Sequence, residues 1–346
     1  MNVALKQKDS PMRQFNAVAG AALMLALSAG SGRPIAYAGE PEPLQLEAKI
    51  PLGEVAGRID HMAVDLQRKR LFVAELENNS LGIVDLAGHK LVRTIHGFKT
   101  TQGVGYVPAN DMLYVANGGD GSLRMFGGQD YAAAGQIDLG DDTDNIRVDA
   151  AGNRVFVSHR GNMVTAIDSV ARRNISGVKL NGNVESFQLD PASKRMFVNL
   201  SDQPAIAVVD RDSMQLTATW KLTGAGDNYA MTLDPDAKRV LVAFRQPAKL
   251  GAISMADGSV VALVDACADA DDMFLDRKRE RVYISCGEGF IDVFDAKGNG
   301  YPRLAHIATV PGARTSLLVS DLNRFVVAAR AQASEPAALW IFRPTD

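Results

Sequence analysis

The chain has 346 residues, of which 47% are hydrophobic and 22% charged, with a formal net charge of −3. This is enough apolar material for one large all-β domain or two ordinary ones, and it excludes a disordered chain. The mildly acidic balance excludes a general attraction for nucleic acid or anionic lipid, and 2 cysteines are too few for a usual structural zinc site.

Lys6, Lys8 and Arg13 precede an apolar run, Ala17 to Ala29, that is short for a membrane span. Ala36-Tyr37-Ala38 then offers the small-x-small pattern of a cleavage site. Residues 1–38 are expected to be a signal peptide cut after Ala38, with Met12 as a second candidate start. Residues 39–346 are expected to form a single domain, periplasmic or secreted. No cysteine lies near the cleavage point, which argues against a lipoprotein, and no later stretch is apolar enough for membrane insertion.

One pattern then recurs seven times: a short apolar run, a turn residue, a polar hairpin and an apolar strand. Its copies include HMAVDLQRKRLFVAE (61–75), VGYVPANDMLYVAN (104–117), NIRVDAAGNRVFVSH (145–159) and DMFLDRKRERVYISC (272–286). The turn position falls at Asp65, Pro108, Asp149, Asp190, Asp234, Asp276 and Ser320, a period of 41 to 44 residues. That is the period of a propeller blade, and the runs are strand-like, branched and aromatic between Asp, Gly, Pro and Asn. Each unit adds a third strand, such as SLGIVDL (80–86), and a fourth, such as KLVRTIHG (90–97), except the last, which has no fourth. LQLEAKIPLG (44–53) looks like that missing strand. The expected fold is therefore an all-β, seven-bladed β-propeller of four-stranded antiparallel blades, closed by an N-terminal strand that completes the last blade.

The LFVAE, LYVAN and VFVSH runs, followed by IVDL or AIDS, resemble the YVTN-repeat propellers, the group that includes YncE-like periplasmic proteins. The resemblance covers residues 44–346 and implies the propeller fold and export. It says little about activity, because the repeat residues are scaffold residues.

Function in a propeller is expected in the loops that lead into the innermost strands and open on one face. Those positions hold Asp60, His61, Gln102, Asp144, Asn145, Glu185, Asp227, Asn228, Asp271, Asp272, Arg314 and Thr315. The second strands end on the same face and add Glu75, His159, Arg160, Arg245 and Arg330. Asp and Asn are also ordinary turn residues, so a binding role and a purely structural one are both open here. His89, His96 and His306 are read as surface residues, and Trp220 and Trp340 as packing. The sequence contains no G-x-S-x-G, H-E-x-x-H, C-x-x-C-H or P-loop pattern.

Two functions fit. The first is a non-enzymatic binding or interaction module, expected to be a monomer, that takes a small polar molecule or another periplasmic protein at the mouth. The second is a hydrolase or lyase of lactonase type, holding a divalent cation such as Ca2+ on Glu185, Asn145, Asn228 and Asp272. His61 or His159 would then move the proton. The calcium lactonases of this kind have six blades, so their spacing does not carry over.

In an oxidising compartment Cys267 and Cys286 are expected to form a disulfide. Pairing Asp276 with Arg281 places Cys286 opposite Asp271, within reach of Cys267 once Ala268-Asp269-Ala270 folds back.

Overall fold

Seven sequence units become seven four-stranded antiparallel sheets in a ring. The computed structural model describes residues 42–346; the expected signal peptide and its cleavage after Ala38 lie outside the described residues. In six sheets the strands run from the inside outward in chain order. The first blade is Met62–Asp65, Arg70–Glu75, Ser80–Asp85 and Lys90–His96. Innermost strands meet their neighbours all the way round, including Met62–Asp65 against Ser316–Val319.

The second strands show where the core lies. In Arg70–Glu75 every residue after Arg70 is buried. Leu71 and Val73 join Ile50, Val326 and Ile341 in the layer between the last and first blades. Phe72 and Ala74 face the other way and join Leu113 and Val115 of the second blade. Successive strand residues point to opposite faces, so an unbroken apolar run suits a strand with a neighbour on each side. Each blade interface holds one such apolar layer. The middle of the ring is instead a channel of about 350 Å³, lined by the innermost strands.

The turn positions hold the blades at the end of the channel away from the expected mouth. Asp65, Asp149, Asp190, Asp234 and Asp276 each accept a backbone N–H from the hairpin that follows. Several also hold an arginine that reaches the next blade. Arg68 bonds Asp65 and Asp111, Arg154 bonds Asp149 and Asp212, and Arg279 bonds Asp276 and the carbonyl of Thr345. Where the unit carries Pro108 or Ser320 instead, the chain turns through a single 3-10 turn.

The seventh blade closes as its sequence implied. Leu44–Pro51 pairs antiparallel with Ala338–Pro344, from Leu44 opposite Pro344 to Pro51 opposite Ala338. Glu47 bridges Arg324 and Arg343 at 2.8 Å each, and Lys49 reaches Glu335 at 2.9 Å.

Deleting residues 44–51 is expected to unzip this seam. Amide exchange across 338–344 and 324–329 should accelerate to that of an exposed edge, and unchanged protection there would refute the closure. A milder probe is Ile50→Asp at a fully buried position, which should cost at least ~3 kcal/mol by chemical denaturation.

Candidate functional site

The sequence pairing of the sixth blade needs one correction, and the correction explains the site. Asp276 pairs with Arg281 as expected, but the ladder is irregular between Ala270 and Asp272, so Cys286 faces Ala270 and not Asp271. The displaced residue is Asp271. Similar irregularities fall between Thr101 and Val104, Val184 and Phe187, and Asn228 and Met231. Each occurs where an innermost strand leaves the mouth, and each frees a side chain: Gln102, Glu185, Tyr229 and Asp271 all line one cavity. A bulge re-aims a side chain that a regular pleat would bury between blades. In blades one, three and seven the innermost strand is only 4 residues long, and Asp60, Asp144 and Arg314 come from the loop before it.

The resulting mouth is a cavity of about 230 Å³ that no purely hydrocarbon side chain lines. It opens onto the channel, with His61, Ser186 and Asp271 lining both. Gly103 permits the close approach of blades two and three here: a Cβ would lie 1.9 Å from the carbonyl oxygen of Asp144.

Two ion-pair systems organise the wall. His61 Nδ1 lies 3.4 Å from Asp272 and Nε2 3.8 Å from Asp60, which has Arg58 at 3.6 Å. Asp272 also accepts the backbone N–H of Ser316 at 2.9 Å, and Thr315 Oγ1 donates to the carbonyl of Ile59, so this system spans the seam between the last and first blades. In the second system, Asp271 is bracketed by Arg245 and Arg314 at 2.9 Å each, and both arginines also reach Asp269. The guanidinium of Arg245 lies over the Tyr229 ring at 3.5 Å. The Cys267–Cys286 disulfide, with Cα atoms 5.9 Å apart, ties down the loop that carries Asp269 and Asp271.

The structure sorts the sequence candidates. Asp60, His61, Gln102, Asn145, Glu185 and Arg314 line the mouth, and Asp272 lines the channel directly below. Asn228 lines neither. It is fully buried, and its amide donates to Asn199 Oδ1 and to the carbonyl of Ala205, pinning blades four and five. His159 lines an adjoining depression between blades three and four and bonds Thr165 Oγ1 at 2.8 Å. Glu185, Asn145, Asn228 and Asp272 are thus divided among the mouth, the channel and a blade interior. Among the described residues no three His, Cys, Asp or Glu side chains form a metal-holding group. His306 is more than a surface residue: its Nδ1 bonds buried Asp292 at 2.5 Å, and its ring stacks on Phe290.

Sequence reading missed Arg147. It sits two residues before the turn position Asp149, where other blades place Ala63, Tyr106, Gln188, Thr232 and Phe274, and it projects a lone guanidinium into the channel wall. Aligning the units on the turn residue would have exposed it as the one charge at that level.

Crowded carboxylates in a sheltered mouth hold protons unusually well. Burial pushes Asp60 up to about 7, against the pull of His61 and with help from Asp144 and Asp271. Burial and the charges of Asp144 and Asp271 push Glu185 up to about 8. Asp144 is raised mainly by burial. Burial alone would lower His61, but Asp272 and Asp60 outweigh it and raise it to about 10.

Folding therefore takes up protons. Glu185 should favour the folded state in acid and lose that contribution as pH rises from 4.5 to about 8. The His61 contribution is complete below 6.5 and lost as pH rises through about 10. The thermal midpoint is expected to fall steadily over this range, and Glu185→Gln to flatten its lower half; a midpoint that rises with pH in wild-type protein would contradict both assignments. Separately, Cys267→Ser with Cys286→Ser opens a loop of 19-residue separation and should cost about 3 kcal/mol. Hydrogen exchange should then rise across 267–272, and unchanged exchange there would show that the bridge does not hold this loop.

No protein-family model matches the chain, and no curated protein matches it in sequence. Solved structures do resemble it. A chain of Kuenenia stuttgartiensis hydrazine synthase is similar with a TM-score of 0.73 and 16% identity, over 84% of this chain and 96% of that one. A chain of the mitotic checkpoint complex is similar with a TM-score of 0.70 and 13% identity, over 96% of this chain and 100% of that one. At such identities the likeness establishes the seven-bladed propeller fold and assigns no activity.

Proposed function

We propose that this protein is a binding module that holds a small polar molecule in the channel mouth, working outside the cytoplasm as an exported propeller of the YVTN-repeat, YncE-like kind. The observation that carries the reading is the mouth itself: a cavity of about 230 Å³ walled by charged and amide side chains from all around the ring. Such a wall is costly to assemble without an occupant, because desolvated carboxylates repel one another. It suits a ligand that supplies the missing hydrogen bonds and charge. The disulfide and the paired arginines keep the wall in place before binding, which lowers the ordering cost of association. Export rests on residues 1–38 and is consistent with a disulfide. Among the described residues no helix is long and apolar enough to cross a membrane.

A divalent cation such as Ca2+ is the second reading. Glu185 and Asn145 both face the mouth, and carboxylate and amide oxygens are the donors that Ca2+ takes. The other two residues proposed from sequence do not face the mouth: Asp272 is engaged by His61 and the Ser316 N–H, and Asn228 is buried inside its blade, outside the mouth lining.

Thermal unfolding of the protein with a panel of sugars, amines, amino acids, organic acids and CaCl2 tests both readings. A ligand at a hundredfold excess over its Kd is expected to stabilise by about 2.7 kcal/mol, and Glu185→Gln should remove the effect. Stabilisation by CaCl2 alone, reversed by EDTA, would replace the first reading with the second. A panel in which nothing stabilises would remove both.

A further inference from the structure

Charge in the mouth and channel is unbalanced in opposite directions at two levels. In the mouth, Asp60 has Arg58 and His61 within 4.0 Å, Asp142 has Arg160, and Asp271 has two arginines. Asp144 and Glu185 have no such partner among the described residues. They accept only from neutral donors: Asn145 Nδ2 to Asp144 at 3.1 Å, and Asn183 Nδ2 and Ser201 Oγ to Glu185 at 3.1 and 3.3 Å. Asn145 supplies an independent sign of a missing group. It is 3% exposed, it lines the same cavity, and its Oδ1 has no hydrogen-bond partner. A buried carbonyl oxygen left without a donor is uncommon and costly.

The channel shows the reverse. His61, Asp271 and Asp272 are paired, as described above. Arg147 is not: Nη1 donates to the carbonyl of Ile146 at 2.8 Å, the Phe187 ring lies 5.5 Å from its guanidinium, and no carboxylate among the described residues lies within 4.0 Å. Burial pushes its pKa down, against the more distant charges of Asp272 and Asp144. Arg147 and Asn145 are two residues apart in one extended segment, so they share a face, with Arg147 about 7 Å deeper along the strand. A donor-hungry, anionic level thus lies above an acceptor-hungry, cationic one, at a spacing that a short chain of carbons can bridge.

We propose that the ligand of this mouth is a small dipolar molecule of the amino-acid type, its ammonium taken by Asp144, Glu185 and Asn145 Oδ1 and its carboxylate by Arg147. The proposal rests on the mouth being a ligand site and specifies the ligand's charge pattern. The ammonium supplies three donors to two carboxyl groups that have no cation and to one amide oxygen that has no donor, and the carboxylate fits the guanidinium fork. A simple amine would leave Arg147 in the channel wall without a counter-charge, and a simple acid would meet the carboxylates first.

Isothermal titration of the protein with glycine, β-alanine, γ-aminobutyrate and ε-aminocaproate, beside n-butylamine, butyrate and glucose, tests this. The best dipolar probe is expected to bind at least ~tenfold more tightly than n-butylamine, with butyrate and glucose weaker still. Arg147→Gln should remove that advantage and leave n-butylamine unchanged, whereas Asp144→Asn should weaken both. If Arg147→Gln does not fold, Arg147→Lys keeps the charge but loses the fork, and should still lose affinity for the dipolar probe alone. Tightest binding by an amine, acid or sugar, or a dipolar affinity indifferent to Arg147, would overturn the proposed charge pattern while the mouth stood as a binding site. Binding by no probe of any class would overturn the site along with it.

Discussion

No blade of this protein has a free face. The middle strands of each sheet bury both sides against neighbours, so a blade's stability is largely its neighbours' stability, and the ring must close for any of it to hold. Closure falls to one strand pairing, Leu44–Pro51 on Ala338–Pro344, made between the two ends of the described chain. It covers the edge of the last sheet and completes the apolar layers on both sides of that sheet, through Leu44 on one side and Ile50 on the other. Glu47, held between Arg324 and Arg343, fixes the register with charge as well as with backbone bonds. Everything at the centre of the ring depends on that seam, which the Thr315–Ile59 and His61–Asp272 contacts also cross.

The same closure creates the site. Innermost strands converge on the axis around an open channel. In four blades the innermost strand loses register at its mouth end, and Gln102, Glu185, Tyr229 and Asp271 turn inward. This brings carboxylates close together in a sheltered place, which disfavours their charged forms. Part of the cost is offset locally: Arg245 and Arg314 neutralise Asp271 and Asp269, and the disulfide constrains the loop that carries them. Asp144 and Glu185 are left without cations. The turn aspartates at the other end of the channel, by contrast, are met by their hairpin N–H groups and by arginines. The contrast separates polar residues that hold the fold from those that the fold holds ready.

Buried amides illustrate how two similar residues part ways. Asn145 and Asn228 each follow an aspartate at the mouth end of a blade and read alike in sequence. Asn228 turns into the blade interior and ties Asn199 to its own strand. Asn145 stays at the mouth, where the shorter innermost strand Ile146–Asp149 leaves it in the loop beside Asp144. Local strand geometry separates the one that faces the mouth from the one that does not.

The propeller was legible in the sequence because it rests on period and alternation, and both are local. A turn residue every 41 to 44 positions, with apolar runs after it, fixes the blade count, the strand order and the closing strand. The disulfide was legible because both cysteines fall in one hairpin. That the entry positions of the innermost strands gather at one mouth was legible too, and among them Asp60, His61, Gln102, Asn145, Glu185 and Arg314 line its cavity. Side-chain direction at the mouth was not. One extra residue in a ladder reverses which side chain faces the axis, and nothing in the repeat pattern marks where it falls. Asn228, beside such a bulge, read as a mouth residue and is buried in a blade; Arg147, in a regular ladder, was not singled out and stands alone in the channel. The sequence by itself determined the ring; the distances between blades, which no single unit encodes, decided which of its charges meet and which are left unpaired.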